Sequence, residues 1–110
     1  MNQHLQHSFK ALADPTRRSI LMQLSNKNMT VQELTNQFDM TRAAVKKHLT
    51  ILENGKLIKA KQQGRTRINS LDTAGLKTVT EWLTYFDHFW DSKLDKLGDA
   101  INAQGENNNV

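Results

Sequence analysis

The chain has 110 residues, 15 Lys and Arg against 11 Asp and Glu, a formal net charge of +4, and no cysteine. A chain this short builds a modest core, and without cysteine it has no disulfide framework, no thiolate metal site and no cysteine nucleophile. There is no apolar run long enough for a bilayer, and the N-terminal MNQHLQHS lacks the basic-then-apolar layout of a secretory signal, so a soluble cytoplasmic protein is expected.

Phe9, Leu12 and Ala13 suggest a short first helix that stops at Asp14-Pro15, which reads as N-cap and first-turn proline of a second helix reaching about Ser25. Ile20, Leu21 and Leu24 give that helix its apolar face, and Asn26-Lys27-Asn28 is a polar stop. Thr30-Val31-Gln32-Glu33 has the form of a capping box, with Met29 and Leu34 placed to close a hydrophobic staple; Val31, Leu34 and Phe38 form the inner stripe of a third helix. Thr41 caps a fourth helix running to about Asn54, with Gly55 as its stop. The connection between the third and fourth helices is about three residues, the length expected of a helix-turn-helix pair.

Residues 57–63 and 65–71 alternate apolar and polar around Gly64, which predicts two antiparallel strands and a tight turn. Ile58, Ala60, Ile68 and Ser70 are expected inward, leaving Lys59, Lys61, Arg65 and Arg67 outward on a basic wing. From Asp72 or Thr73 the chain reads as one long helix, with a second capping box at 78–81 and the apolar series Val79, Leu83, Phe86, Trp90, Leu94, Leu97 and Ile101. Residues 102–110 are polar and expected to be disordered. The sum is a mainly α fold with a small β-hairpin, a winged helix-turn-helix in the order α-α-α-α-β-β-α. It is expected to form a single domain over 1–101, with N- and C-terminal helices that dimerise.

Charge is concentrated where that motif falls. Between Thr41 and Arg67 stand eight basic residues against one acid, Glu53, a local net of +7, while the remainder nets −3. A solvated lysine-rich face would explain charge alone, but not its coincidence with a helix-turn-helix and hairpin from which acids are nearly absent. With Val45, His48, Leu49 and Leu52 turned inward, the fourth helix presents Arg42 at its exposed start and Ala43, Lys46, Lys47 and Thr50 along its outer face. Such a slim positive face fits the major groove of double-stranded DNA. Arg42 and Lys46 are the preferred base readers. Lys47, with Lys61, Arg65 and Arg67 of the wing and the helix start at Thr41, is assigned to the phosphate backbone, and Gln63 of the wing is expected at the DNA surface too.

The last helix is too aromatic for a lone small fold to hide. Trp82, Leu83, Phe86, Phe89, Trp90 and Leu94 are therefore expected to form a homodimer interface that sets two reader helices about 34 Å apart. A small-molecule effector pocket is an alternative use of the same stripe, and a docking face for another protein is the alternative function. Arg17 and Arg18 sit at a helix start that disfavours cations unless an acid or phosphate is near; Arg18 can pair internally and Arg17 can reach DNA. His48 reads as a hydrogen-bonded structural histidine. Neither the pair His4 and His7 nor the cluster Asp87, His88 and Asp91 is assigned a metal, no cofactor is expected, and no catalytic constellation is legible.

Two longer stretches carry a resemblance: Phe9-Lys-Ala-Leu-Ala-Asp-Pro-Thr-Arg-Arg-Ser-Ile-Leu21, and Thr41-Arg-Ala-Ala-Val-Lys-Lys-His-Leu-Thr-Ile-Leu52 with Leu57-Ile58 and Gly64-Arg65. Together they resemble the ArsR/SmtB family of winged-helix repressors over about residues 8 to 97. The resemblance implies a homodimer packed through its first helix, at Phe9 and Leu12, and its last helix, which blocks transcription from a palindromic operator. Metal-sensing members carry a cysteine cluster where Thr30 and Gln32 stand here. Zinc-sensing members carry an Asp-x-His where this chain has Asp72-Thr73-Ala74-Gly75. The chain therefore resembles the metal-independent branch, including small autorepressors.

Overall fold

The computed structural model describes the backbone of residues 3–108 and their side chains, except those of residues 90, 91 and 102–108. Helix starts follow local side-chain chemistry. At the start of α2 (Pro15–Asn26), Asp14 Oδ2 accepts the Arg17 N–H at 3.0 Å. At α3 (Val31–Gln37) the capping box is complete: Thr30 Oγ1 accepts the Glu33 N–H at 3.1 Å, and Glu33 Oε1 accepts the Thr30 N–H at 3.0 Å. Thr41 Oγ1 accepts the Ala44 N–H at 3.1 Å to open α4 (Arg42–Asn54). Each side chain supplies a partner that the first helical turn lacks.

The end of α4 is a Schellman closure, with Leu57 N–H donating to Leu52 O at 3.1 Å and Lys56 N–H to Glu53 O at 3.0 Å. The left-handed residue this requires is Lys56, at φ 60°, one place after Gly55. Gly55 serves packing instead, because a Cβ there would stand 2.9 Å from His7 O on α1 (Gln3–Leu12). That helix begins at Gln3 and is longer than the short one expected around Phe9, since Leu5, Ser8 and Ala11 give it a buried face.

Three strands form the sheet, not two. β1 (Met29–Thr30), β2 (Ile58–Gln63) and β3 (Thr66–Leu71) are arranged antiparallel in the order β1-β3-β2. Two-residue β1 has no period of its own and is masked in the sequence by the cap it precedes. The hairpin turns at Gly64-Arg65, with Gly64 at φ 63°, the conformation that a tight turn asks of glycine here.

The register corrects the expected faces of the wing. Ala60 pairs with Asn69 and Lys61 with Ile68, so Ile58, Ala60, Asn69 and Leu71 share one face. Ile68 and Ser70 lie on the other face with Lys59 and Lys61, because paired residues in a ladder project to the same side. Arg67 joins the inner face, and buried Asn69 is held there by donating from Nδ2 to Met29 O at 3.2 Å.

The chain divides into two compact units, Met1–Val79 and Thr80–Val110. The first holds the core: Leu5, Ala11, Ile20, Leu24, Met29, Leu34, Val45, Leu49, Leu52, Leu57, Ile58 and Val79 are all buried. Within it α1 and α3 pack on α4, and α2 packs on β3. Phe9 and Leu12 are half-buried against this core, which occupies part of the surface expected at a dimer interface.

The expected single last helix is two, α5 (Thr73–Thr84) and α6 (Asp87–Asn108). Asp72 Oδ1 accepts the Gly75 N–H at 3.2 Å at the start of α5, whereas Thr78, expected to cap, lies inside the helix and donates to Ala74 O at 3.2 Å. In the second unit the chain breaks at Tyr85 and Phe86, whose rings meet edge-to-face at 5.1 Å, and Asp87 gives α6 an acid in its first turn. The backbone of α6 is helical through Asn108, with no proline to interrupt it, and residues 109–110 of the tail lie outside the described residues.

Candidate nucleic-acid interface

An open depression joins the outer face of α4 to the wing. It is lined by Thr30, Val31 and Gln32 at the start of α3, by Arg42 and Lys46 of α4, and by Gln62, Arg65, Thr66 and Arg67 of the hairpin. Four of the basic residues expected to meet DNA are thus brought together. A second depression beside it is lined by Lys46, Thr50 and Arg67 with Val31, Leu49, Glu53 and Asn69. The remaining expected residues stand outside both: Thr41 is exposed just before α4, Ala43 and Lys47 are exposed on α4, Gln63 is exposed beside the turn, and Lys61 is exposed on the opposite face of the wing from Arg67.

Several of these side chains are already engaged. Arg67 Nη2 lies 3.1 Å from Glu53 Oε1, tying the wing to the last turn of α4. Arg42 Nη1 donates to Gln32 Oε1 at 3.3 Å, and Thr50 Oγ1 donates to Lys46 O at 3.0 Å. Thr41 spends its hydroxyl on the helix cap. Sequence reasoning missed Gln32, Gln62 and Thr66. Gln62 and Thr66 are uncharged side chains within the basic block and carry no charge mark, and Gln32 stands outside the block altogether.

Behind the interface, the two arginines after Pro15 are turned toward α1. Arg17 Nε donates to Ala11 O at 2.8 Å and Nη2 to Lys10 O at 3.0 Å, while Arg18 Nη1 donates to Leu12 O at 2.7 Å. They neutralise the carbonyl end of α1, where the helix dipole favours cations. Arg17 Nη1 also stands 3.4 Å from His48 Nδ1, giving the histidine of α4 the structural partner expected of it. The Arg17 backbone N–H, then its guanidinium and His48, hold the Asp14 carboxyl below its ordinary range. The Thr30 backbone N–H, assisted by Lys27, does the same for Glu33.

The second unit exposes a row of large apolar side chains among its polar ones. Trp82, Leu83, Tyr85, Phe89, Leu94, Leu97 and Ile101 are all open, and Trp82 and Phe86 stack edge-to-face at 4.8 Å. The side chain of Trp90, also expected at the dimer interface, and that of Asp91 lie outside those described. Among the described residues no helix is long and apolar enough to cross a membrane.

Comparison with known proteins agrees with this geometry. The profile of bacterial regulatory proteins of the arsR family matches residues 14–60, from the N-cap of α2 into the wing. The HTH-type transcriptional regulator Rv2034 of Mycobacterium tuberculosis is 32% identical over 99 residues, covering 90% of this chain and 90% of the relative. The transcriptional repressor SdpR of Bacillus subtilis is 33% identical, covering 78% of this chain and 96% of that protein. Among solved structures, the ArsR family transcriptional regulator RHA00566 superposes with a TM-score of 0.73 at 38% identity, covering 80% of this chain and 97% of that one. With its basic reader helix, wing and relatives matched nearly end to end, the chain belongs to the arsR family of bacterial regulatory proteins and is a winged helix-turn-helix, DNA-binding transcriptional regulator.

Proposed function

We propose that the protein represses transcription as a homodimer on a palindromic operator, with α4 in the major groove and the wing on the flanking backbone. The observation that carries this reading is the shared depression in which Arg42 and Lys46 of α4 meet Arg65 and Arg67 of the hairpin. A helix that presents cations at its exposed start and a ribbon that presents them beside it match the width of a groove and the phosphates on its rim. Lys46 and Arg42 read bases. Arg65, at the exposed turn, contacts phosphate.

Repression is supported by the relative named as a repressor, and pairing by the row of open apolar side chains from Trp82 to Ile101. Two-fold pairing turns a single half-site reader into one that requires two half-sites about one helical turn apart. Metal-independence is supported by the side chains Thr30, Gln32 and Asp72, which offer no thiol or imidazole, and cytoplasmic residence by the regulatory role.

Fluorescence anisotropy on a duplex from the protein's own promoter region tests the site. Lys46→Ala is expected to relax base preference, and Arg65→Ala to weaken all duplexes about equally and reduce the salt slope by about one. Wild-type affinity in both variants overturns the assignment. Sedimentation of the pure protein tests pairing, and a stable monomer refutes it.

A further inference from the structure

Gln32 belongs to α3, outside both elements that carry the cations, yet it reaches the reader helix through a short hydrogen-bonded chain. Its Nε2 donates to Asn36 Oδ1 at 3.0 Å, one turn along α3, and its Oε1 accepts from Arg42 Nη1 at 3.3 Å. Chemistry sets the direction of this chain. A guanidinium only donates, so the amide oxygen faces Arg42 and the amide nitrogen is left for Asn36. Gln32 and Arg42 are both exposed and both line the depression shared by α4 and the wing.

We propose that Gln32 is a specificity-positioning residue, which holds the Arg42 guanidinium in one orientation so that it addresses a base pair rather than the nearest phosphate. This inference rests on the DNA-binding reading given above. A long arginine side chain surrenders rotamer freedom when it docks, and one restrained beforehand surrenders less. With Nη1 directed at Gln32, the Nε and Nη2 edge remains as a two-donor fork, the pattern that fits guanine O6 and N7. An unrestrained arginine in the same place reaches neighbouring phosphates, which add affinity and carry no sequence information.

The test is enrichment of duplexes from a randomised library by wild-type protein, Gln32→Ala, Gln32→Glu, Arg42→Ala and the double variant, followed by titration of the enriched duplex and its single-base-pair substitutions. Gln32→Ala is expected to lose about threefold to tenfold of the preference at the base pair read by Arg42, with an unchanged salt slope. Gln32→Glu keeps an acceptor for Arg42 and so keeps the preference, while its added charge weakens every duplex. The double variant is expected to be no less selective than Arg42→Ala alone, since a positioning residue has nothing left to position. Undiminished preference in Gln32→Ala, or an equal further loss in the Arg42→Ala background, overturns the proposal while leaving the DNA-binding reading intact. Failure of the wild-type protein to enrich any duplex overturns that reading and the proposal together. Gln32→Ala places a strong helix former on an exposed helix face, so the fold is retained, and a thermal melt verifies it.

Discussion

Arg67 Nη2 sits 3.1 Å from Glu53 Oε1 and 3.3 Å from Oε2, so the one acid of the basic block is placed against a wing cation rather than spread among several. Both side chains are about half exposed, at 55% and 43%, and a pair so open to solvent contributes little to stability. Its larger effect is on charge. Glu53→Gln is expected to change stability by less than about 0.5 kcal/mol. The same variant tightens duplex binding and steepens its salt dependence by about one phosphate equivalent. Titrations at several salt concentrations check this, and weaker binding by Glu53→Gln would show that the pair acts as a strut.

The arginines after Pro15 give the second prediction. Arg17 makes two hydrogen bonds to the terminal carbonyls of α1 and faces His48. Arg17→Ala is expected to cost about 1.5–3 kcal/mol, the range for a part-buried charged donor whose acceptors are stranded. Its salt slope on DNA should match the wild type, because the side chain does not line the interface. Urea denaturation reads the first quantity, and a reduced slope would mean that Arg17 touches phosphate.

Gly75 is the third. An added Cβ there would fall inside the contact distance of the Lys56 carbonyl oxygen, a backbone atom that cannot rotate away. Lys56 is itself held at φ 60° by the closure of α4, so the clash has no cheap relief. Gly75→Ala is expected to destabilise the protein by about 3 kcal/mol or more. Gly64→Ala meets no neighbouring atom and strains only the turn, and should cost about 1 kcal/mol. Paired thermal melts that fail to rank the two in this order would contradict the packing described for Gly75.

Acid sensitivity follows from the two helix caps. The carboxyls of Asp14 and Glu33 titrate below their ordinary values of 3.8 and 4.5 because backbone N–H groups bond the ionised form. A depressed pKa in the folded state means stability that is fully present above the unfolded values. It is lost as pH falls through them toward the lowered folded ones. The melting temperature should therefore fall on acidification below about pH 4.5. Asp14→Asn and Glu33→Gln, which keep an acceptor, should flatten that limb, and an unchanged acid limb in the double variant would assign the effect elsewhere.

What the sequence makes legible here is chemistry that acts over three or four residues. Asp14, Thr30 and Thr41 are readable as caps because each acts on a backbone N–H within its own first turn. The wing was harder. Period-two reasoning places Ile68 inside because it is apolar, but the interior position belongs to Asn69, whose amide is satisfied by Met29 O forty residues away. No local pattern carries that partner, nor the pairing of Met29 and Thr30 with β3. The break at Tyr85 and Phe86 was invisible for the opposite reason: apolar spacing runs through it, without a proline or glycine to mark the stop. In the depression shared by α4 and the wing, charge points to Arg42, Lys46, Arg65 and Arg67, while Gln32 is recognisable only from its hydrogen bond to Arg42.

Thr30 pairs with Ile68 in the sheet and, with the same residue, opens α3. The hairpin is thus rooted in the residue from which the first helix of the turn departs. A tug on the ribbon tip is delivered straight to that helix, and through it to the reader it packs upon. Displacement of the ribbon tip by a bound duplex is therefore expected to shift α3 and α4 along with it.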